Sequence, residues 1–319
     1  MKVFITGASG FVGGATARHL AAKGHEVTAM SRSECSDERI RVLGATPLRC
    51  DLENVSAEHM RGADAVIHSA AFVEPWGPKD AWHRSNVLGT QHVLDAARDA
   101  GVKRFIHIGT EAAIVHGQHV RGADEAYPLA PGSPYPYCST KAQAEMKVRR
   151  ANAPGFETIV LRPRFIWGPG DTTVLPMIEA MAAAGNWTWI DNGAAMTSTT
   201  HIDNLVHAIV LALDHGTPGE AYFILDDGDV SLKEMVTGMA ASKGLELPDK
   251  SIPGWLAGAI GSVSEFAWRT FNLKGEPPLT RHAAMVMSRD CTLRGDKARD
   301  GLDYRPVVTR EAGLAALKA

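Results

Sequence analysis

The chain has 319 residues, of which 45% are hydrophobic and 22% charged, and its formal net charge is -3. This length allows a large core and more than one lobe, and the charge balance gives no reason to expect nucleic acid or an anionic membrane as the main partner. The sequence holds no apolar run of the ~18 residues that a membrane span needs. Its four cysteines are scattered and lack CxxC spacing, and this distribution favours a reducing, cytoplasmic setting over a disulfide framework.

The first half of the chain alternates short apolar runs with helical patterns. The runs predict six strands, at 2–6, 25–31, 46–51, 63–70, 102–110 and 156–163. Helices are predicted between them at 11–24, 86–101 and 139–152. Strands separated by single helices imply an α/β fold, a Rossmann-type doubly wound parallel sheet with helices on both faces.

The pattern changes after about Pro163. A loop is expected at 164–171, helices at 174–186 and 203–216, and a strand at 220–225 that returns to the sheet. The remainder is mainly helical, with Pro-rich breaks. We therefore predict a dinucleotide-binding domain at 1–165 with a returning segment near 200–226. A smaller substrate-binding lobe is predicted from 166–199 and 227–319.

The stretch "TGASGFVGG" places three glycines, Gly7, Gly10 and Gly13, between the first strand and the first helix. Gly7 allows a tight turn, Gly10 lets the backbone approach a pyrophosphate, and Gly13 lets the helix pack close to the sheet. The helix N-terminus then offers free N–H groups to the phosphates. The alternative is a plain strand-to-helix turn. The interpretation as a cofactor loop also includes the intervening Ser9, Phe11 and Val12.

The G-x-x-G-x-x-G spacing resembles the extended short-chain dehydrogenase/reductases, the NAD(P)-dependent epimerase/dehydratase superfamily, over nearly the whole chain. The resemblance implies that the Tyr of Y-x-x-x-K, here Tyr137, is the proton donor or acceptor, with Lys141 beside it. Spacing four puts both on one helix face. The ammonium is expected to lower the phenol pKa from about 10 towards neutrality. The third member of the implied catalytic set is Thr110, which bonds the substrate oxygen.

Further cofactor contacts are implied by the same resemblance. Asp51 and Leu52 are expected to flank the adenine, and Asn86 to support the Lys network, although a helix cap is an equal alternative for Asn86. The residues expected beside the pyrophosphate and ribose are Ser69, Ala70 and Ala71. The residues expected at the carboxamide end of the nicotinamide are Pro163, Phe165 and Ile166. Phe165 and Ile166 are alternatively residues of the hydrophobic core with no cofactor contact.

The second strand ends in "MSRS", where an NAD enzyme usually places Asp or Glu on the ribose 2′-OH. Arg32 can pair with a 2′-phosphate, and Ser31 can donate a further hydrogen bond to it. We therefore favour NADP(H), with NAD(H) as the alternative if Arg32 is only a solvated charge.

Sugar-nucleotide epimerases and dehydratases of this superfamily carry an Arg in "R-D-F-x-H-V-x-D", where this chain has Thr197. Dehydratases also carry an acid pair after the Thr, but Glu111 is followed by Ala112. The segments "RPRFIWGPGD", "THIDN" and "EPPLTR" instead resemble the 3β-hydroxysteroid dehydrogenase-like branch. That resemblance implies a ketone/alcohol oxidoreductase acting on a small apolar substrate, sterol-like or β-keto acid-like.

Candidate substrate residues are Glu111, Trp76 and Trp167. Five apolar residues either line an apolar pocket or its entrance or form the core of the lobe: Trp255, Leu256, Phe266, Trp268 and Phe271. The stretch 255–271 is alternatively an amphipathic surface helix that docks on a membrane, a pocket lid or a dimer contact. The remaining alternatives are a sugar-nucleotide epimerase or dehydratase and a non-catalytic NADP(H) sensor, although sensors usually lose the Tyr or Lys. No metal site is expected, because no acidic or cysteine partner completes a ligand set around the histidines. A homodimer through the Tyr-Lys helix and the one before it is expected by analogy.

Overall fold

A computed structural model of the chain describes residues 1–78 and 80–318. Seven parallel strands form the central sheet in the order β7-β6-β5-β4-β1-β2-β3. They are β1 (Lys2–Thr6), β2 (Glu26–Ser31), β3 (Thr46–Arg49), β4 (Ala65–His68), β5 (Arg104–Ile108), β6 (Glu157–Pro163) and β7 (Ala221–Ile224). The predicted fold class is confirmed, including the late strand that returns to the edge of the sheet.

Helices cover both faces of this sheet. They are α1 (Phe11–Ala22), α2 (Glu34–Val42), α3 (Gly89–Asp99), α4 (Pro136–Ala151) and α6 (Ile202–Asp214). Helix α5 (Val174–Ala183) packs instead in a separate cluster with Trp167 and Trp189. Successive residues of a strand point to opposite faces, so each strand feeds two cores. Val3 and Ile5 pack in the core with Leu205 of α6, whereas Phe4 packs in the core with Val93 of α3.

Helix α2 was not predicted from the sequence. Its apolar periodicity is weak, and Asp37 and Ile40 are its buried residues. Ser33 caps its N-terminus by accepting a hydrogen bond from Ser36 N at 3.2 Å. A Ser at this position is the signal that could have located the helix.

The C-terminal part of the chain is mainly helical, as predicted, but also contains short strands. Its helices are α7 (Leu232–Ser242), α8 (Gly254–Thr270), α9 (Arg281–Ser288), α10 (Asp296–Gly301) and α11 (Arg310–Ala316). Residues 120–123, 291–293, 196–197 and 230–231 form a second, four-stranded sheet. Two two-stranded pairings join 200–201 to 166–167 and 251–252 to 189–190.

Helices α8 and α9 pack against each other at a close approach. A Cβ on Gly261 would lie 3.0 Å from Arg281 N, so the two backbones are almost in contact. The opposite face of α8 is open: Trp255 and Phe266 are 75% and 67% exposed, and Phe271, directly after the helix, is 70% exposed. These three side chains therefore do not form the core of the lobe. A pocket entrance, a lid or a dimer contact remains a prediction for them.

Two further features bear on the surface of the molecule. Within residues 1–78 and 80–318, no helix combines the length and apolar character needed to cross a bilayer. All four cysteines are free thiols, with Cys35 exposed on α2 and Cys50, Cys138 and Cys291 buried.

Candidate active site

Tyr137 and Lys141 lie in the first turns of α4, which begins at Pro136 because proline suits the first helical position. Lys141 is buried, and its Nζ donates to the Ile108 carbonyl at the end of β5 at 2.9 Å. Thr110 follows two residues after that carbonyl. The geometry therefore brings the three predicted catalytic residues to the same carboxyl end of the sheet.

Thr110 caps a short 3₁₀ turn at Glu111–Ile114, where its oxygen accepts from Ala112 N at 3.2 Å. Its hydroxyl donates to Glu111 Oε2 at 2.6 Å. Glu111 in turn forms an ion pair with Arg164, a buried residue that directly follows β6. This arginine was not assigned from the sequence, because it is 53 positions from its partner.

The electrostatics of the phenol differ from the sequence expectation. Burial raises the pKa of Tyr137, the Glu111 carboxylate raises it further, and the Thr110 hydroxyl acts in the opposite direction. The predicted lowering towards neutrality is therefore wrong for this structure. The Lys141 ammonium is itself disfavoured by burial, which lowers its pKa from 10.5 to about 8, with Glu145 opposing.

A layer of polar side chains lies beneath Lys141, between the sheet and helices α3 and α4. His68 bridges Thr6 at 2.7 Å and Thr90 at 3.0 Å. Burial lowers the pKa of His68 to about 3 and that of the neighbouring His107 well below its ordinary value, and Lys141 contributes to both shifts. Both imidazoles are therefore neutral at physiological pH.

Asn86 lies inside a π-helical turn at His83–Leu88, not at a helix cap. Its Oδ1 accepts from Phe72 N at 2.7 Å, and its Nδ2 donates to Phe72 O at 3.1 Å and Thr140 Oγ1 at 3.2 Å. Asn86 thus holds the chain after Ala71 against α4, one position before Lys141.

The glycine loop has the close packing that a dinucleotide cradle requires. A Cβ on Gly13 would lie 2.4 Å from Gly7 O, and a Cβ on Gly7, whose φ is +77°, would lie 2.8 Å from Ala70 N. Gly10 is the N-cap residue of α1. It has no side chain, so it leaves the first N–H groups of the helix without a side-chain acceptor. The first N–H groups of α1 thus fit the pyrophosphate of a nicotinamide dinucleotide. Ser9, Phe11 and Val12 lie in this loop and the first turn, and Ser69 and Ala71 flank Ala70.

Ser31 ends β2 as a buried residue, and its hydroxyl donates to Ser33 O at 3.2 Å. Arg32 is exposed. Arg49 lies opposite Ser31 in the parallel register and pairs with Asp37 at 2.8 Å. This neighbouring carboxylate and arginine were not identified from the sequence, because they belong to the unpredicted helix α2 and to the next strand.

Other predicted cofactor residues have clear structural contacts. Asp51 Oδ1 accepts from Glu53 N and Asn54 N at 2.8 and 2.9 Å. Leu52 packs on Gly89. Pro163 ends β6, Ile166 packs against the sheet core, and Phe165 adopts a φ of +43° and packs beside the α5–α7 core.

One predicted substrate residue, Trp167, lies elsewhere than expected. Trp167 is fully buried, and its Nε1 donates to Asp226 Oδ2 at 2.8 Å, so it belongs to the core and not to a pocket wall. Trp76 is half-buried, and the Arg269 guanidinium carbon lies 3.9 Å above its ring centre. Trp76 thus connects the segment after β4 to α8.

A small pocket opens beside Thr110, and α9 forms one of its walls. Its apolar lining includes Ala112, Val115, Val120, Met285 and Val286. Its polar lining includes Glu111, Arg164 and His282. The His282 ring lies 6.0 Å from the Tyr137 ring, so α9 packs beside the Tyr137 phenol. His282 was not identified from the sequence, because only the tertiary packing brings α9 to α4.

The NAD dependent epimerase/dehydratase family model matches residues 3–224. A 4-hydroxy-2-methyl-3-oxo-4-farnesyl-3,4-dihydroquinoline-1-oxide ketoreductase of Stigmatella aurantiaca is 39% identical, covering 100% of this chain and 96% of that one. A 2-alkyl-3-oxoalkanoate reductase of Stenotrophomonas maltophilia is 36% identical, covering 100% and 99%. A 3-beta-hydroxysteroid dehydrogenase of Mycolicibacterium neoaurum is 29% identical, covering 98% and 89%.

The fold is also shared with solved structures. DesIV, a dTDP-glucose 4,6-dehydratase of Streptomyces venezuelae with NAD and TYD bound, superposes with a TM-score of 0.78. The alignment covers 100% of this chain and 96% of that one, at 23% identity. With the fold, the glycine loop and the whole-length relatives in agreement, the chain belongs to the NAD dependent epimerase/dehydratase family and to its 3β-hydroxysteroid dehydrogenase-like branch.

Proposed function

We propose that the chain is a nicotinamide-dependent oxidoreductase that interconverts a ketone and a secondary alcohol on an apolar substrate. The observation that carries this proposal is the convergence of Thr110, Tyr137 and Lys141 at the end of β5, beside a pocket with an apolar lining. Relatives with names of ketoreductases and hydroxysteroid dehydrogenases match the chain over its whole length.

A nicotinamide dinucleotide held at the glycine loop would supply the hydride in reduction and accept it in oxidation. Thr110 bonds the carbonyl oxygen, which requires its hydroxyl to turn from Glu111 towards the substrate. Tyr137 donates the proton to that oxygen in reduction and accepts it in oxidation. Its raised pKa keeps the phenol protonated, the form needed for reduction. Lys141, fixed by the Ile108 carbonyl, places a cation near the phenol to stabilise a developing phenolate.

Replacing Tyr137 by Phe tests this role. We expect Tyr137→Phe to lower kcat for ketone reduction by about a hundredfold or more, because the proton donor is lost. Dinucleotide affinity, measured by fluorescence titration, should stay within about twofold of wild type. The matched control is Tyr135→Phe, two residues earlier and outside the Y-x-x-x-K spacing. Turnover retained by Tyr137→Phe, or equal losses in both variants, would remove Tyr137 from the mechanism.

We further propose that the cofactor is NADP(H). The support is the exposed Arg32 directly after β2, together with the hydroxyl of Ser31. The Asp37 carboxylate near this strand end would repel a 2′-phosphate, but Arg49 pairs with it at 2.8 Å and supplies its counter-charge.

The cofactor preference is measured as the ratio of kcat/KM with NADPH to kcat/KM with NADH. We expect wild type to favour NADPH and Arg32→Ala to lower this ratio about tenfold or more, through the loss of a charge-assisted bond. Arg39→Ala, which removes another exposed arginine from α2, is the control and should leave the ratio unchanged. A wild-type preference for NADH would contradict the assignment.

The division into two domains remains a prediction: a dinucleotide-binding domain at 1–165 with a returning segment near 200–226, and a substrate-binding lobe at 166–199 and 227–319. Ala298, Leu302 and Tyr304 pack in the same core as β1 and α6. A homodimer through α3 and α4 and a cytoplasmic location are also predictions. Light scattering tests the oligomeric state, and cell fractionation tests the location.

A further inference from the structure

Glu111 and Arg164 form a buried ion pair one residue from the catalytic hydroxyl of Thr110. Both side chains line the small pocket beside Thr110. The Thr110 hydroxyl, which is proposed to bond the substrate carbonyl, lies 2.6 Å from Glu111 Oε2. The Arg164 Nε donates to Thr197 Oγ1 at 2.9 Å, and its backbone N donates to Thr200 Oγ1 at 3.0 Å. The guanidinium is thus held by Thr197 and Glu111, and the backbone of Arg164 is held by Thr200.

The charges next to Thr110 are already paired. Among the described lining residues, Arg164 pairs with Glu111, and Asp290 pairs with Arg121 at 2.7 Å. Arg289 is exposed, and its Nη1 lies 3.1 Å from His119 Nε2. Burial lowers the pKa of His282, so its imidazole adds no charge at neutral pH. A further anion next to Thr110 would therefore lack a dedicated cation, because Arg164 is already held by Glu111.

We infer that the Glu111–Arg164 pair selects a substrate that is neutral next to its reacting carbonyl and discriminates against a 3-oxo acid. This inference rests on the proposed ketone oxidoreductase function. A carboxylate next to the carbonyl would lie close to Glu111, and Arg164 cannot neutralise both anions. Burying one uncompensated charge costs several kcal/mol. A ketone, ester or amide group carries no such cost.

The inference separates two substrate classes within the proposed function. The named substrate of the Stigmatella relative is a farnesylated ketone without a carboxylate, and that of the Stenotrophomonas relative is an oxoalkanoate. The electrostatics of this pocket favour the first chemical class for this chain.

The test compares kcat/KM for one long-chain 3-oxo acid, freshly released from its ester, with kcat/KM for its methyl ester. Wild type should favour the ester. Glu111→Gln leaves the Arg164 cation without a counter-charge, so the ester-to-acid ratio should fall about tenfold or more. Arg164→Met leaves Glu111 unpaired and should raise the ratio. The double variant Glu111→Gln/Arg164→Met carries neither charge and should return the ratio towards the wild-type value.

A matched control is Glu157→Gln, which breaks the Arg104 ion pair outside the pocket and should leave the ratio unchanged. Circular dichroism establishes which variants fold. Because the two single variants should shift the ester-to-acid ratio in opposite directions, either folded variant alone tests the selectivity. A wild-type preference for the acid, or a folded single variant with an unchanged ratio, would overturn the selectivity. Turnover of neither substrate by wild type would refute the proposed function, and the inference with it.

Discussion

Lys141 is a buried lysine whose Nζ donates to a backbone carbonyl. Burial lowers its pKa from 10.5 to about 8, so between these values the unfolded chain binds the proton more tightly than the folded chain. The free energy of unfolding therefore rises as the pH increases through this window. Below pH 8 the charged lysine costs the folded state about 3 kcal/mol, since each pKa unit is worth about 1.4 kcal/mol.

The free-energy cost of burying the charged Lys141 predicts that removing this charge stabilises the protein. Lys141→Met should be more stable than wild type below pH 8, and the difference should shrink as the pH rises towards 10.5. Urea unfolding at a series of pH values measures it. Lys147→Met, on the same helix but only half-buried, is the control and should show no such trend. A difference that does not change with pH would show that burial does not shift this lysine.

The candidate catalytic residues illustrate what the sequence can and cannot predict at the residue scale. Thr110, Tyr137 and Lys141 could be identified because their motif is local: Thr110 lies two positions after a strand, and Tyr137 and Lys141 lie one turn apart on a helix. Arg164 and His282 were missed because tertiary packing alone brings them to the pocket. The pKa direction of Tyr137 was wrong for the same reason, since burial cannot be derived from a four-residue spacing.

At the scale of elements, two of the three glycines of α8, Gly258 and Gly261, have different surroundings. Gly258 has no atom within 4 Å of a would-be Cβ, whereas Gly261 faces the Thr280–Arg281 backbone. We expect Gly258→Ala to raise the free energy of unfolding by about 0.5–1 kcal/mol through helix propensity. Gly261→Ala, the matched variant three residues on, should lower it, because the added methyl forces α8 and α9 apart. Thermal unfolding of both variants measures the two signs, and stabilisation by both would contradict this packing.

The position of α8 also shows a limit of periodicity. An apolar stripe indicates that a helix has one face suited to burial but not that a partner covers that face. Trp255 and Phe266 were expected in a pocket or a core and are exposed, while Ala257 and Gly261 are buried. The strands were predicted more closely because a run buried on both faces leaves no such choice.

At the scale of the whole molecule, Asp226 joins the sheet to the segments that follow β6. Its carboxylate follows β7 and accepts from Trp167 Nε1, Thr199 Oγ1, His201 N and Asn204 Nδ2, all at 2.7–2.8 Å. Asn204 in turn binds the backbone of Val307 and Val308. One buried carboxylate thus connects β7, the 199–201 segment, α6 and the chain near its C-terminus.

Removing this carboxylate should destabilise the entire protein. We expect Asp226→Ala to lower the free energy of unfolding by about 3 kcal/mol or more, because several buried donors lose their acceptor together. Asp227→Ala is the adjacent control and should cost under about 1 kcal/mol, since it removes an exposed ion pair with Arg299. Urea unfolding followed by tryptophan fluorescence measures both, and equal costs would show that the carboxylate is not a structural centre.

The distribution of thiols has a practical consequence for binding measurements. Burial raises the pKa of Cys50 to about 11 and those of Cys138 and Cys291 to about 12, so these sulfurs stay protonated and shielded at neutral pH. Cys35 is exposed in the first turn of α2, three residues after Arg32. A maleimide fluorophore would therefore attach to the unaltered protein at a single position beside the expected ribose phosphate, and its emission would report dinucleotide occupancy without any engineered cysteine.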